Sequence, residues 1–242
     1  MQFIEVTELA GVRSAVVRFH HPDSPVRFLL YPMIRLAEAA FYREVTDRLR
    51  RDCDLVVAEG VGEVAPAADP LVDSWARLDS RERLGLVVQD VDPGTLGVPV
   101  LHPDAAGAGV QDGHRALPLR DRVTLGALTP AVLAGMRLFG TRRYLARHLT
   151  TENLLNETGR SEREALPGSE NPVLGRRDSL LVEALTRLHD TASGPLTVGV
   201  LYGAAHMPAA ANALTGLGHR PADTEWLTVF TLDPGPHDDA PH

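Results

Sequence analysis

The chain has 242 residues, 44% of them hydrophobic, and a net charge of −8. That supplies apolar material for one large core and carries the wrong sign for a nucleic-acid footprint. All 24 basic residues are arginine, which excludes chemistry that needs a lysine: Walker-A phosphate binding, Schiff bases and pyridoxal phosphate.

The single cysteine, Cys53, excludes an internal disulfide and a thiolate zinc cluster. It stands between Asp52 and Asp54, whose charges raise a thiol pKa and make it a poor nucleophile. The start of the chain has no signal-peptide pattern, and no apolar run reaches the roughly 18 residues of a membrane span. The chain therefore reads as cytoplasmic, with no membrane partner.

In chain order, residues 3–6, 14–19 and 26–31 are short strand-forming runs, and His21-Pro22-Asp23-Ser24-Pro25 has the chemistry of a hairpin turn. The run 27–34 gives way to a predicted helix with Phe41, Val45 and Leu49 four apart on one face. Its other face carries Arg43, Glu44, Asp47, Arg48 and Arg50. Residues 54–58, DLVVA, read as a buried strand ending at Glu59-Gly60, which completes an early βαβ unit.

The middle has a different texture. A helix is expected over 71–84, short strands at 86–88 and 98–101, and a largely helical stretch over 125–155 beginning near Thr129-Pro130. Asp90 and Asp92, before Pro93-Gly94, and Asp104 in HPDAAG read as turn residues. Residues 157–171 are polar, contain Gly159 and Gly168, and read as a mobile connection or lid. Roughly 105–175 together form an expected helical insertion over the carboxyl edge of the sheet.

A helix with Leu181, Leu185 and Leu188 on one face leads into residues 195–218, PLTVGVLYGAAHMPAAANALTGLG. The β-branched run 196–202 suits a buried strand, Gly203 breaks it, and His206 falls at the start of a helix that stops at Gly216-Leu217-Gly218. A strand at 225–232 closes a late βαβ unit, and DPGPHDDAPH, 233–242, reads as a disordered tail able to hold metal only weakly. The expectation is thus one α/β domain over 1–232: a mixed central sheet built from early and late βαβ units.

Ligands of open α/β sheets bind outside the carboxyl ends of the strands. Three junctions there carry chemistry: Pro32-Met33-Ile34-Arg35, Ala58-Glu59-Gly60 and Gly203-Ala204-Ala205-His206. A helix amide dipole disfavours imidazolium, so His206 at a helix start is a neutral, ligand-competent ring. The pattern Gly-x-x-His is weak by itself, since Gly216 to His219 repeats it inside a predicted turn. Each residue also has a structural alternative: Glu59 as a carboxylate at a helix dipole, Asp178 as a helix cap, Arg35 as a solvated helix-start side chain.

The segments YPMIRLAEAAFY, LVVAEGV, RRDSLL and VLYGAAHMPAAANAL, with VLHPDAAG as a looser match, resemble the TraB/GumN/Tiki superfamily, related to the erythromycin esterases. The resemblance covers about residues 26–65 and 172–230. It implies a hydrolase, peptidase or esterase that depends on a divalent metal (Mn, Co or Zn) and acts on a small molecule or peptide. It implies Glu59, His206 and Asp178 as catalytic groups, His206 and Glu59 as metal ligands, and Arg35 and Arg177 as substrate-binding residues.

Where the family has its first Gly-x-x-His, this chain has Pro32-Met33-Ile34-Arg35. A guanidinium has no lone pair for a metal, and His206 with Glu59 falls short of the three protein ligands usual for catalytic zinc. His20, His21 and Asp178 are candidates to complete the set. The resemblance thus implies an altered metal site, with Arg35 pairing Glu59 in place of the cation. The alternative is a catalytically silent binding or regulatory protein on the same scaffold.

Overall fold

The computed structural model describes residues 1–60, 84–89, 91–103, 141–148 and 172–233. The strands are β1 (Ile4–Thr7), β2 (Gly11–His20), β3 (Val26–Met33), β4 (Leu36–Ala37), β5 (Leu55–Ala58), β6 (Val87–Val88), β7 (Val100–Leu101), β8 (Leu196–Gly203) and β9 (Arg220–Phe230). The helices are α1 (Ala39–Asp52), α2 (Arg142–His148), α3 (Pro172–Thr191) and α4 (Met207–Gly216). The expected helix over 71–83, most of the helical insertion, the 157–171 lid, Asp90, Asp104 and the tail after Asp233 lie outside the described residues. Among the described residues no helix is long and apolar enough to cross a membrane.

The architecture is α/β on a mixed sheet. Its central block β3-β8-β5-β7 is parallel, with Met33 beside Gly203, Ala58 beside Leu201 and Val57 beside Leu101. β2 joins the block antiparallel to β3, and β1 and β9 both pair antiparallel with β2. Alternation along each strand sends side chains to opposite faces. Leu29, Tyr31 and Met33 pack with Phe41, Val45 and Leu49 of α1, the face the four-residue spacing predicts. Phe28 and Leu30 pack instead with Leu181 and Leu185 of α3 and Met207, Ala210 and Leu214 of α4. Three layers result, and the near-continuous apolar runs of β5 and β8 reflect burial on both faces.

Two expectations about topology change. The early βαβ unit, β3-α1-β5, is present, but β8 lies between its two strands. The late unit does not close on a neighbour: β9 pairs with β2, not β8, and it starts at Arg220. The reason is edge occupancy. β8 is hydrogen-bonded on one side by β3 and on the other by β5, so α4 carries the chain past β3 to the unpaired edge of β2.

The turn before β2 depends on a backbone only glycine adopts freely. Gly11 has φ +73°, and a Cβ there meets the Phe230 carbonyl oxygen at 2.2 Å. Gly97 has nearly the same φ, +74°, but a Cβ there meets nothing within 4 Å among the described residues. We expect Gly97→Ala to cost about 1 kcal/mol, the left-handed strain alone, and Gly11→Ala about 3 kcal/mol, because the β9 backbone must also move. Urea midpoints of the two variants measure the difference; equal values refute the clash.

Candidate functional site

β5 and β8 send their connections in opposite directions, β8 through α4 toward β9 and β5 toward β7. Adjacent strands whose connections diverge leave a crevice at their carboxyl ends, and the predicted site residues gather there. Glu59 follows β5 directly, and its own N–H donates to the Leu201 carbonyl of β8 at 3.0 Å. Glu59 Oε2 accepts from the Gly203 N–H at 3.1 Å, and Oε1 from Arg177 Nη1 at 2.6 Å.

His206 closes a 3₁₀ turn, Ala204–His206, that turns β8 into α4. Its ring is buried, with the edge of Tyr202 against it at 5.8 Å between centroids. Nδ1 lies 2.6 Å from Asp178 Oδ1. A carboxylate only accepts, so Nδ1 carries a proton, and the tautomer of the neutral ring is the one with its lone pair on Nε2. Nε2 faces the same Glu59 oxygen that Arg177 holds, at 3.9 Å. Arg177 and Asp178 are consecutive in α3, so one turn of that helix supplies both the cation on Glu59 and the carboxylate on His206.

The expected set is therefore brought together except at Arg35. The chain does not enter a helix there. It forms β4, which pairs with β6 and is continued by the Gln89 N–H donating to the Arg35 carbonyl at 2.8 Å. α1 starts only at Ala39. The Arg35 side chain is exposed and makes no ion pair among the described residues. Arg177 takes the place that Arg35 was expected to fill.

Of the three candidates to complete the metal set, only Asp178 is at this rim. β2 runs antiparallel to β3, so its last residue, His20, and the following His21 lie at the opposite end of the sheet. There His21 packs against His189 and His219, with ring centroids 5.8 and 5.4 Å away.

A residue not singled out from the sequence joins the rim. His102 follows β7, and its Nδ1 is 3.2 Å from the Ala58 carbonyl oxygen, one residue before Glu59. The carbonyl accepts, so Nδ1 is the donor in this contact. The available signal was a histidine directly after the short apolar run Val100-Leu101.

Asp92 behaves as the turn residue expected, its carboxylate accepting from the Gly94 N–H at 2.9 Å. Cys53 is buried, and burial first, then Asp52 and Asp54, pushes its thiol up to about 12. It is not a nucleophile at neutral pH.

The donors do not fit the implied metal. Among the described residues no three His, Cys, Asp or Glu side chains are arranged to hold an ion. A guanidinium sits on the carboxylate that faces His206 Nε2. Comparison of the chain with protein-family models, curated proteins and solved structures finds no match.

Proposed function

We propose that the chain is a TraB/Tiki-like protein of hydrolase ancestry whose metal position is taken by the guanidinium of Arg177. The observation that supports this is one shared oxygen. Glu59 Oε1 faces His206 Nε2 at 3.9 Å, and Arg177 Nη1 lies 2.6 Å from the same oxygen.

The residues themselves suit hydrolysis of an ester or amide in a small molecule or short peptide. His206 Nε2 takes a proton from water while Asp178 holds Nδ1–H and stabilises the imidazolium that forms. The hydroxide adds to the carbonyl carbon, and Arg177 carries the charge that develops on the carbonyl oxygen. The C–O or C–N bond then breaks, and the leaving group receives the proton from Nε2. Arg35, exposed beyond the next strand, is available to an acidic part of the substrate.

Hydrolysis of nitrophenyl esters and a fluorogenic peptide set tests the reading. His206→Ala should lose about 100-fold or more, and Asp178→Asn about 10-fold with a shifted pH profile. Absence of turnover with either substrate set favours the binding-protein alternative. Calorimetry with Mn²⁺, Co²⁺ and Zn²⁺ tests the charge replacement separately. Micromolar binding by the wild type that Glu59→Ala abolishes would leave Arg177 without the role assigned here.

A further inference from the structure

A cavity of about 340 Å³ lies away from the rim, between the last turns of α1 and the sheet. Its strand residues come from alternate positions on one face: Val16 and Arg18 of β2, Leu29 and Tyr31 of β3, Asp223 and Glu225 of β9. Arg48, Arg51 and Asp52 of α1 cover it. The apolar stripe of α1 ends at Leu49 while the sheet runs on beneath it, and this leaves a space whose lining is mostly charged. Its size falls within the range of small-molecule sites.

The wall charges divide into two groups. Arg48 is held by Glu225 through two 2.6 Å hydrogen bonds and by Glu44 through a third. Arg51 is held by Asp52. Arg18 and Asp223 stand opposite each other across the β2-β9 ladder, and neither forms an ion pair among the described residues. Each is a charged group with its strongest bonding capacity unused, one of each sign, on the same face of the sheet.

The Tyr31 hydroxyl on the floor is buried beside the Cys53 thiol.

We propose that this cavity binds a small zwitterion, an amino acid or dipeptide. Its carboxylate would pair with Arg18 and its ammonium with Asp223. The geometry fits that class because both unpaired charges are satisfied at once. An anion alone would leave Asp223 facing it, and a cation alone would leave Arg18. The site does not depend on the rim reading, because none of its residues belongs to the rim.

Calorimetric titration of the full chain with L-leucine and glycyl-L-leucine tests this, with leucine amide and N-acetyl-leucine as singly charged analogues and inorganic phosphate as a plain anion. At least one zwitterion should bind saturably and about tenfold or more tighter than either analogue. Arg18→Ala and Asp223→Asn, both at exposed positions, should each weaken it about tenfold, and His206→Ala should leave it unchanged. No saturable heat with either zwitterion up to about 10 mM, where weak ligands still register, overturns the proposal. So does phosphate or N-acetyl-leucine binding as tightly as the zwitterion.

Discussion

Replacing Arg142 by methionine should cost about 3 kcal/mol, the largest loss expected from a single charged residue here. The guanidinium is buried, and it ties together three parts of the chain that are distant in sequence. Nε donates to the Leu84 carbonyl at 2.7 Å, while Nη1 donates to Glu38 Oε1 at 2.6 Å and to the Thr231 carbonyl and hydroxyl at 3.0 Å.

Glu38 is the residue before α1, and its carboxylate is turned to this pair instead of capping the helix. Methionine keeps the side-chain length but leaves these acceptors without their donor, and an orphaned buried acceptor costs about 1–3 kcal/mol. Part of the loss is relieved because Glu38 is 30% exposed and can hydrate. Arg142→Lys should recover only part of the stability, since an ammonium cannot span all of these acceptors at once. Urea midpoints decide: a methionine variant within about 0.5 kcal/mol of wild type shows that α2 is not fastened in this way.

How much of this was legible depends on distance along the chain. Strands buried on both faces were visible because β-branched runs such as 196–202 have few other stable uses. The helix from Ala39 was visible through Phe41, Val45 and Leu49. Glu59, Asp178 and His206 were visible because each lies beside a strand or helix end, where side chains are free to face a ligand. The partner of Glu59 was not. Choosing Arg177 over Arg35 depends on Leu36-Ala37 pairing with Val87-Val88, fifty residues away, and that pairing has no local signature. The position of β9 depends on which strand edges are already taken, a property of the assembled sheet. His102 was passed over because two apolar residues, Val100 and Leu101, are too short a run to announce a strand.

The crevice explains why the rim works as one unit. The Glu59 carboxylate accepts from the β8 backbone and from α3, and Asp178 fixes His206 from the same turn of α3. A shift of α3 therefore moves the partners of His206 and Glu59 together. Substitutions behind it, such as at Leu181 or Leu185, should disturb both contacts at once, and in the proposed hydrolysis they should weaken proton transfer and charge stabilisation together.

At the opposite end of the sheet, acid should destabilise the fold through His219. α4 ends in a Schellman turn: the His219 N–H donates to the Leu214 carbonyl at 2.9 Å and the Gly218 N–H to the Thr215 carbonyl at 3.0 Å, with Gly218 at φ +91°. This turn drives His219 inward, where it is fully buried. Its Nε2 lies 3.0 Å from His189 Nδ1, its Nδ1 has no partner among the described residues, and the Phe28 ring packs against it at 5.1 Å. Burial first, then His189, His21 and His20, lowers its pKa from 6.5 to about 4. The charged groups acting on it are all histidines.

The folded state thus binds fewer protons than the unfolded chain between these two values. The stabilisation is complete above pH 6.5, is lost as the pH falls toward about 4, and changes no further below that. At about 1.4 kcal/mol per pH unit the interval is worth about 3 kcal/mol. Urea denaturation at successive pH values measures it. Wild type should lose stability steeply over that window, and His219→Gln, though less stable at pH 7, should lose about 3 kcal/mol less across it. Equal slopes for the two proteins would place the acid sensitivity in other groups and remove His219 from the account.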